Sequence, residues 1–312
     1  MSDMRDMRDM RDTRPFMQVD VFADRPGWGN PVAVVLDAQG LDEAAMQRFA
    51  RWTNLSETVF LLPATQAGAD YRARIFTPGG ELPFAGHPTL GACHAWLAAG
   101  GRPQRARQVV QQCAHGLIEI AQGERPGGGV RLAFAAPAMQ ASAPSAALVA
   151  AVARALGLQA RALRVSWLDN GPRWLGLLLP DAAAVHALRP DFAALAALEV
   201  GVGVAGRAAG VRAGRAGQAA AQPLLHVRAF APALGVPEDP VTGSLNASLA
   251  QWLMAAGELP DDYVAAQGEA LGRAGRVYLR REVAGGPNDG PQGGQVWVGG
   301  DCVICIEGRV RL

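Results

Sequence analysis

Apolar residues occupy alternate positions at Met17, Val19 and Val21 and then run together from residue 32 to 36, so two strands are expected around the turn at residues 27–31. Leu41, Met46, Phe49 and Ala50 carry helical spacing, which predicts a helix over 41–52, broken at Asn54. Strands follow at 57–62 and 72–76, then a proline-rich loop, a helix over about 88–99, and a strand pair at 107–112 and 116–121. The glycine run at 127–129 marks a turn. Beyond it the pattern predicts a strand at 130–134, a helix over 145–156, strands at 164–168 and 174–179, and a helix near 181–188. Strands at 202–205 and 224–230 flank an Ala/Gly/Arg loop. A helix over 244–256 and strands at 276–281, 295–298 and 303–307 complete the chain, with a Gly/Pro/Asn hairpin tip between 285 and 294. Strands, one long helix and more strands, twice over, describe an α+β protein of two lobes.

The two long helices share their approach. Phe76-Thr77-Pro78 leads through Pro83 and Gly86-His87-Pro88-Thr89 into a helix ending near Trp96; Phe230-Ala231-Pro232 leads through Pro237 and Val241-Thr242-Gly243-Ser244 into one ending near Trp252. Helix starts of this composition leave backbone N–H groups free to meet an anion. The repeat predicts two pseudo-symmetric lobes with two helix ends facing one cavity. Residues 1–15, which contain Met-Arg-Asp three times, read as a disordered low-complexity tail. Residues 16–125 form the N-terminal lobe, which also has a claim on the last strand near 303–312. Residues 126–302 form the C-terminal lobe.

Composition removes several function classes. The formal charge of +1 gives no footprint for nucleic acid, no apolar run is long enough for a membrane helix, and no leader pattern is visible, so a cytoplasmic protein is expected. Cys93, Cys113, Cys302 and Cys305 are too scattered for a disulfide framework. All 29 basic residues are arginine. Schiff-base chemistry through lysine, pyridoxal phosphate anchoring and a P-loop lysine are therefore excluded.

Gly201-Val202-Gly203-Val204-Ala205-Gly206 matches the dinucleotide pattern but lacks its context of strand, helix and later acidic residue. Cys302 and Cys305 fall three apart on an expected strand and so face opposite sides. His94, His115, His186 and His226 stand alone, without metal-ligand spacing; no metal and no cofactor are expected. Glu57 lies where polar Asn54-Leu55-Ser56 gives way to an apolar strand. It reads either as an ordinary strand-end glutamate or as a partly desolvated carboxyl suited to general base work. His87 and Asp239, in the repeated loops, read either as helix caps or as groups on opposite walls of one carboxylate-binding cavity.

Seven stretches, in order, resemble the phenazine-biosynthesis isomerase-like (PhzF-like) family. They are Gly29-Asn30-Pro31-Val32-Ala33-Val34, Asn54 to Phe60, Phe76-Thr77-Pro78 with Gly86-His87-Pro88-Thr89, Asp169-Asn170-Gly171-Pro172, Glu238 to Ser244, Gln267-Gly268 with Gly272 to Val277, and Val298-Gly299-Gly300. The resemblance implies a diaminopimelate epimerase-like fold, each lobe a curved, mostly antiparallel sheet around a central helix, commonly as a homodimer. It also implies a cofactor-free proton shift in a small carboxylate-bearing substrate, such as a dihydroaromatic amino acid. Carried over by motif, Glu57 is the acid/base, with His87 and Asp239 completing the catalytic set; Ser56, Gly86, Gly243 and Ser244 contact substrate. Related epimerases place cysteines where this chain has Ala85-Gly86-His87 and Asp239-Pro240-Val241, which argues against a two-thiol mechanism. A non-catalytic small-molecule-binding protein on the same fold is the alternative.

Overall fold

The computed structural model describes residues 13–125, 128–160, 163–211, 222–282 and 294–312. The Met-Arg-Asp repeat, Gly127, most of the Ala/Gly/Arg loop and the hairpin tip up to residue 293 lie outside the described residues. Of those described, residues 13–123, 130–134 and 301–312 form one compact unit and the remainder the second.

The first unit is a mixed sheet. The strand Cys302–Arg311 pairs antiparallel with Thr13–Val21, which pairs antiparallel with Asn30–Val35; Thr58–Leu62 joins in parallel and Tyr71–Phe76 antiparallel. Gln108–Cys113 joins Tyr71–Phe76 in parallel, and Gly116–Glu124 closes the series antiparallel. Order begins earlier than the sequence pattern suggests, because Thr13 to Pro15 are in register with Arg311 to Arg309. Backbone pairing, together with Arg309 donating to the Thr13 hydroxyl and carbonyl at 2.8 Å, holds a segment that has no apolar periodicity.

Helix α1, Glu43–Thr53, is amphipathic and seats Met46, Phe49 and Ala50 against Val35, Phe60 and Phe76. Asp42 caps its start, accepting from the Ala45 N–H at 2.7 Å, a contact of a kind that contributes ~1 kcal/mol. Helix α2, Gly86–Ala98, differs. Apart from His94 it is buried continuously from Gly86 to Ala95 and touches six strands of its unit, so the sheet is built around it.

In the second unit, Gln140–Ser142 pairs antiparallel with Arg164–Asp169, which pairs antiparallel with Arg173–Leu178; Gly201–Arg207 joins in parallel and Leu225–Ala231 antiparallel. Asp262–Gln267 then joins in parallel and Gly275–Glu282 antiparallel, with Gln295–Gly300 antiparallel beyond it. The succession antiparallel, antiparallel, parallel, antiparallel, parallel, antiparallel is that of the first unit. Even the short strand Glu81–Leu82 on Tyr71–Phe76 has its counterpart in Val236–Asp239 on Leu225–Ala231.

Helices α3 (Ala146–Ala155), α4 (Ala182–Ala187) and α5 (Phe192–Ala196) contribute Val152, Val185 and Leu195 to a core with Leu175, Leu177, Val202, Val204 and Phe230. Helix α6, Gly243–Ala255, is buried along most of its length and contacts four strands of the second unit. The strand at 262–267 escaped the sequence pattern because Ala265 and Ala266 are weak strand formers; burial on both sides decides it. The dinucleotide-like run lies inside the strand Gly201–Arg207. Its glycines serve packing: a Cβ at Gly203 would overlap Leu245 of α6, and one at Gly206 would overlap the Asp181 carbonyl at the start of α4.

Gly91 plays the same part for α2, since a Cβ there would overlap Val32 Cγ1 and come within 3.0 Å of Val21 Cγ2. Both valines are fully buried and stiff. Gly91→Ala is expected to destabilise by ~1–3 kcal/mol despite alanine's better helix propensity, read as a lower urea midpoint. Adding Val32→Ala should recover part of the loss. Wild-type stability in the single variant would disprove the close seating of α2.

Candidate active site

Three short segments of the first unit converge on one carboxyl group. Asn54 ends α1 in the left-handed conformation (φ 52°), its N–H bonding back to the Ala50 carbonyl, and the chain turns through Leu55 and Ser56 into the strand Thr58–Leu62. The Thr53 and Thr58 hydroxyls, 3.0 Å apart, clamp this turn. The Glu57 carbonyl accepts from the Ala33 N–H at 3.4 Å, which continues the parallel pairing by one residue and fixes where its side chain starts.

The Glu57 side chain is 16% exposed, and its Oε2 is buried without a hydrogen bond. His87 Nε2 lies 3.4 Å from it, near enough for charge to be felt though not aligned for a hydrogen bond. His87 Nδ1 in turn is 3.4 Å from the side-chain amide nitrogen of Asn30, at the head of the strand Asn30–Val35. Desolvation raises the Glu57 pKa from 4.5 to about 7, and the neighbouring Ser56 opposes this in part. At neutral pH such a carboxyl exchanges its proton readily in both directions.

The start of α2 adds to this electrostatic setting. His87 is its second residue, not a residue preceding it, and the N-cap position belongs to Ala85, which offers no side-chain acceptor. His87 is therefore not a cap, and the helix starts without a capping side chain; Pro88 has no N–H to cap, and the Thr89 N–H bonds to the Ala85 carbonyl at 3.2 Å. Such a helix start favours negative charge nearby.

The second unit repeats the device with different side chains. Thr242 is the N-cap of α6 but makes no capping bond to it; its hydroxyl donates instead to the Asp239 carboxylate. Buried Gln267 holds the loop: its Oε1 accepts from the Thr242 N–H at 3.0 Å and from Asn246 Nδ2 at 2.8 Å, and its Nε2 donates to the Asp239 carbonyl at 3.0 Å. Asp239 thus precedes the helix by four residues and does not cap it. Gly243 opens the helix, and the Ser244 hydroxyl accepts from Trp174 Nε1 at 3.1 Å. Asn170 donates to the Ser244 carbonyl at 3.0 Å, while its own buried Oδ1 has no hydrogen-bond partner.

Neither Cys93 nor Cys302 is poised as a thiolate. Cys93 is fully buried within α2 and Cys302 nearly so, and burial pushes both thiols well up, away from the reactive thiolate.

A family model described as phenazine biosynthesis-like protein matches residues 19–308. The chain belongs to this family. A trans-2,3-dihydro-3-hydroxyanthranilate isomerase of Pseudomonas aeruginosa is 37% identical, with 95% of this chain and 99% of the relative aligned. The protein named antisense-enhancing sequence 1 of Schizosaccharomyces pombe is 33% identical over 94% of this chain and 97% of its own. Among solved structures, a PhzF-family phenazine biosynthesis protein of Bacillus anthracis matches with a TM-score of 0.78 at 23% identity, covering 96% of this chain and 99% of that one. A probable proline racemase of Agrobacterium radiobacter matches with a TM-score of 0.61 at 12% identity, covering 96% and 92%, which is a likeness of fold. The diaminopimelate epimerase-like α+β fold expected from the motifs is the one observed. Isomerase is the enzyme class in which the chain's relatives place it.

Within the phenazine biosynthesis-like motifs, the sequence pointed to Glu57, Ser56, His87, Gly86, Asp239, Gly243 and Ser244. It passed over Asn30, Asn170, Trp174, Thr242 and Gln267, which position those groups. Asn30, Asn170, Thr242 and Gln267 all stood inside the quoted motif stretches, and a buried polar residue there was the available signal. His186 and His226 do not stand alone: with Glu269 they form a cluster whose ligand atoms lie within 4.8 Å of one another. Forty residues of separation hid a contact that the fold makes.

An acid whose pKa is raised on folding stabilises the folded state fully below its unfolded value and loses that contribution as pH rises through the folded value. For Glu57 the window runs from 4.5 to about 7 and corresponds to ~3 kcal/mol. Relative to Glu57→Gln, the wild type is therefore expected to lose about this much unfolding free energy between about pH 4 and pH 8 in urea titrations. Parallel stability curves for the two proteins would contradict a desolvated carboxyl.

Proposed function

We propose that the protein is a cofactor-independent isomerase that moves a proton between two carbons of a small carboxylate-bearing substrate, with Glu57 as the acid and base. The observation that carries this reading is the buried, unbonded Oε2 of Glu57, 3.4 Å from His87 at a helix start without a side-chain cap, a setting in which desolvation raises the carboxyl pKa to about 7. As a carboxylate, Glu57 takes a proton from carbon, and the electron pair shifts into the adjoining unsaturated system. As a carboxylic acid, it returns the proton to a different carbon, so the enzyme ends as it began and no redox partner enters. The dipole of α2, whose start carries no side-chain cap, favours the negative charge that develops on the substrate.

Identity of 37% across nearly the whole of both chains to a trans-2,3-dihydro-3-hydroxyanthranilate isomerase makes a dihydroaromatic amino acid the substrate class proposed. Asp239, Gly243, Ser244 and Ser56 are proposed substrate contacts, and His87 and Asp239 assist the proton transfer.

Trans-2,3-dihydro-3-hydroxyanthranilate, turned over in deuterium oxide, is the direct probe. The expected outcome is isomerised product carrying solvent deuterium on carbon, with kcat reduced about 10²–10⁴-fold in Glu57→Gln. If Glu57 enters as the base, kcat/KM falls about tenfold per pH unit below about 7. Full turnover by Glu57→Gln would remove Glu57 from the chemistry. Tight binding with no label entering carbon would make the protein a binder of this class of acid and not an isomerase of it.

A further inference from the structure

His186, His226 and Glu269 all belong to the second unit, and none has a part in the proposed proton transfer. His186 Nε2 and His226 Nδ1 are 3.0 Å apart, and each lies 3.2 Å from Glu269 Oε2. Three donor atoms thus form a nearly equilateral triangle. Metal bonds of about 2.0–2.1 Å in a tetrahedron place neighbouring ligand atoms about 3.3 Å apart, close to this spacing before an ion draws the ligands into place.

Hydrogen bonding alone serves the triangle poorly. If one imidazole nitrogen accepts from the other, its lone pair also faces the carboxylate oxygen. If both nitrogens carry protons aimed at the carboxylate, the 3.0 Å contact between them has no acceptor. A cation shared by the three atoms removes the conflict in every case.

The fold holds the three ligands on separate elements. His186 is in the last turn of α4, His226 lies on the strand Leu225–Ala231, and Glu269 opens the short 3₁₀ turn Glu269–Leu271. His226 is paired across the sheet with Gly206, the residue whose missing Cβ lets the Asp181 end of α4 lie against the strand. The glycine that seats α4 therefore also sets His186 over His226. Arg276, 3.9 Å from the second Glu269 oxygen, helps to orient the carboxylate. The side chains of His186 and Glu269 are 41% and 33% exposed and line a cavity of about 580 Å³, so an ion has access from solvent.

We propose that His186, His226 and Glu269 bind a divalent first-row transition ion, with three protein donors and one position left to water. Two imidazoles and a carboxylate suit Zn²⁺, which is the probe of choice. The ion would tie α4 and the 3₁₀ turn to the sheet.

Full-length protein stripped with chelator is equilibrated with Zn²⁺, and bound metal is counted by elemental analysis; Co²⁺ is used in parallel for its visible spectrum. The expected result is one ion per chain, with tetrahedral Co²⁺ bands, and a loss of affinity in His186→Ala/His226→Ala beyond the 10–100-fold attached to outer-shell groups. Circular dichroism checks that each variant is folded. Glu269→Gln, which keeps size and shape, gives a second reading with a weaker affinity and an altered Co²⁺ spectrum. Absence of binding by the wild type at 100 μM Zn²⁺ would overturn the proposal. So would an ion retained at full affinity by the folded histidine variant, since cysteines or other groups would then hold it.

Discussion

Removing the Glu57 carboxyl from water is the constraint on which the rest of the site depends. Folding withholds ionisation free energy from this group, and the proposed proton transfer would depend on that, because a carboxyl left at its ordinary pKa is a weak base and is rarely protonated at neutral pH. The surrounding structure fixes the group without neutralising it. The left-handed Asn54 and the Thr53–Thr58 hydroxyl contact hold the turn, the Glu57 carbonyl is locked to the next strand, and His87 stands close without a hydrogen bond to Oε2. A strong ion pair at Oε2 would pull the pKa back down.

The two units solve one packing problem in the same way. Each winds its strands with the same succession of parallel and antiparallel pairings around a helix that enters without a side-chain cap. Each uses glycine where helix and strand approach most closely, at Gly91 in the first and Gly203 in the second. A buried helix start of this kind would ordinarily call for a capping side chain. Neither unit supplies one, and the two helix starts differ in the side chains nearby. The first unit offers a desolvated glutamate and a histidine. The second offers an aspartate held by Thr242, in a loop fastened by Gln267.

Much of this was legible in the sequence. Phe-x-Pro followed by a Thr/Gly/Ser cluster before an Ala/Leu helix marked both central helices, and their starts were displaced by only one or two residues. Glu57 was legible as a polar residue at the edge of an apolar strand, with two readings of it open. What the sequence hid was long-range. Thr13 to Pro15 gain order only from the far end of the chain, and the strand at 262–267 carries alanines where a strand pattern calls for branched residues. His186 and His226 meet because Gly206 lets a short helix lie on its strand. No local period encodes such contacts.

The ionisation of Glu57 can be read directly. The measurement is the carboxyl titration of protein carrying ¹³C-labelled glutamate, followed by NMR, with Glu57→Gln used to assign the resonance. The account predicts a midpoint of about 7 for the signal lost in the variant. A midpoint near the ordinary 4.5 would mean a solvated carboxyl and would contradict the proposed acid/base role.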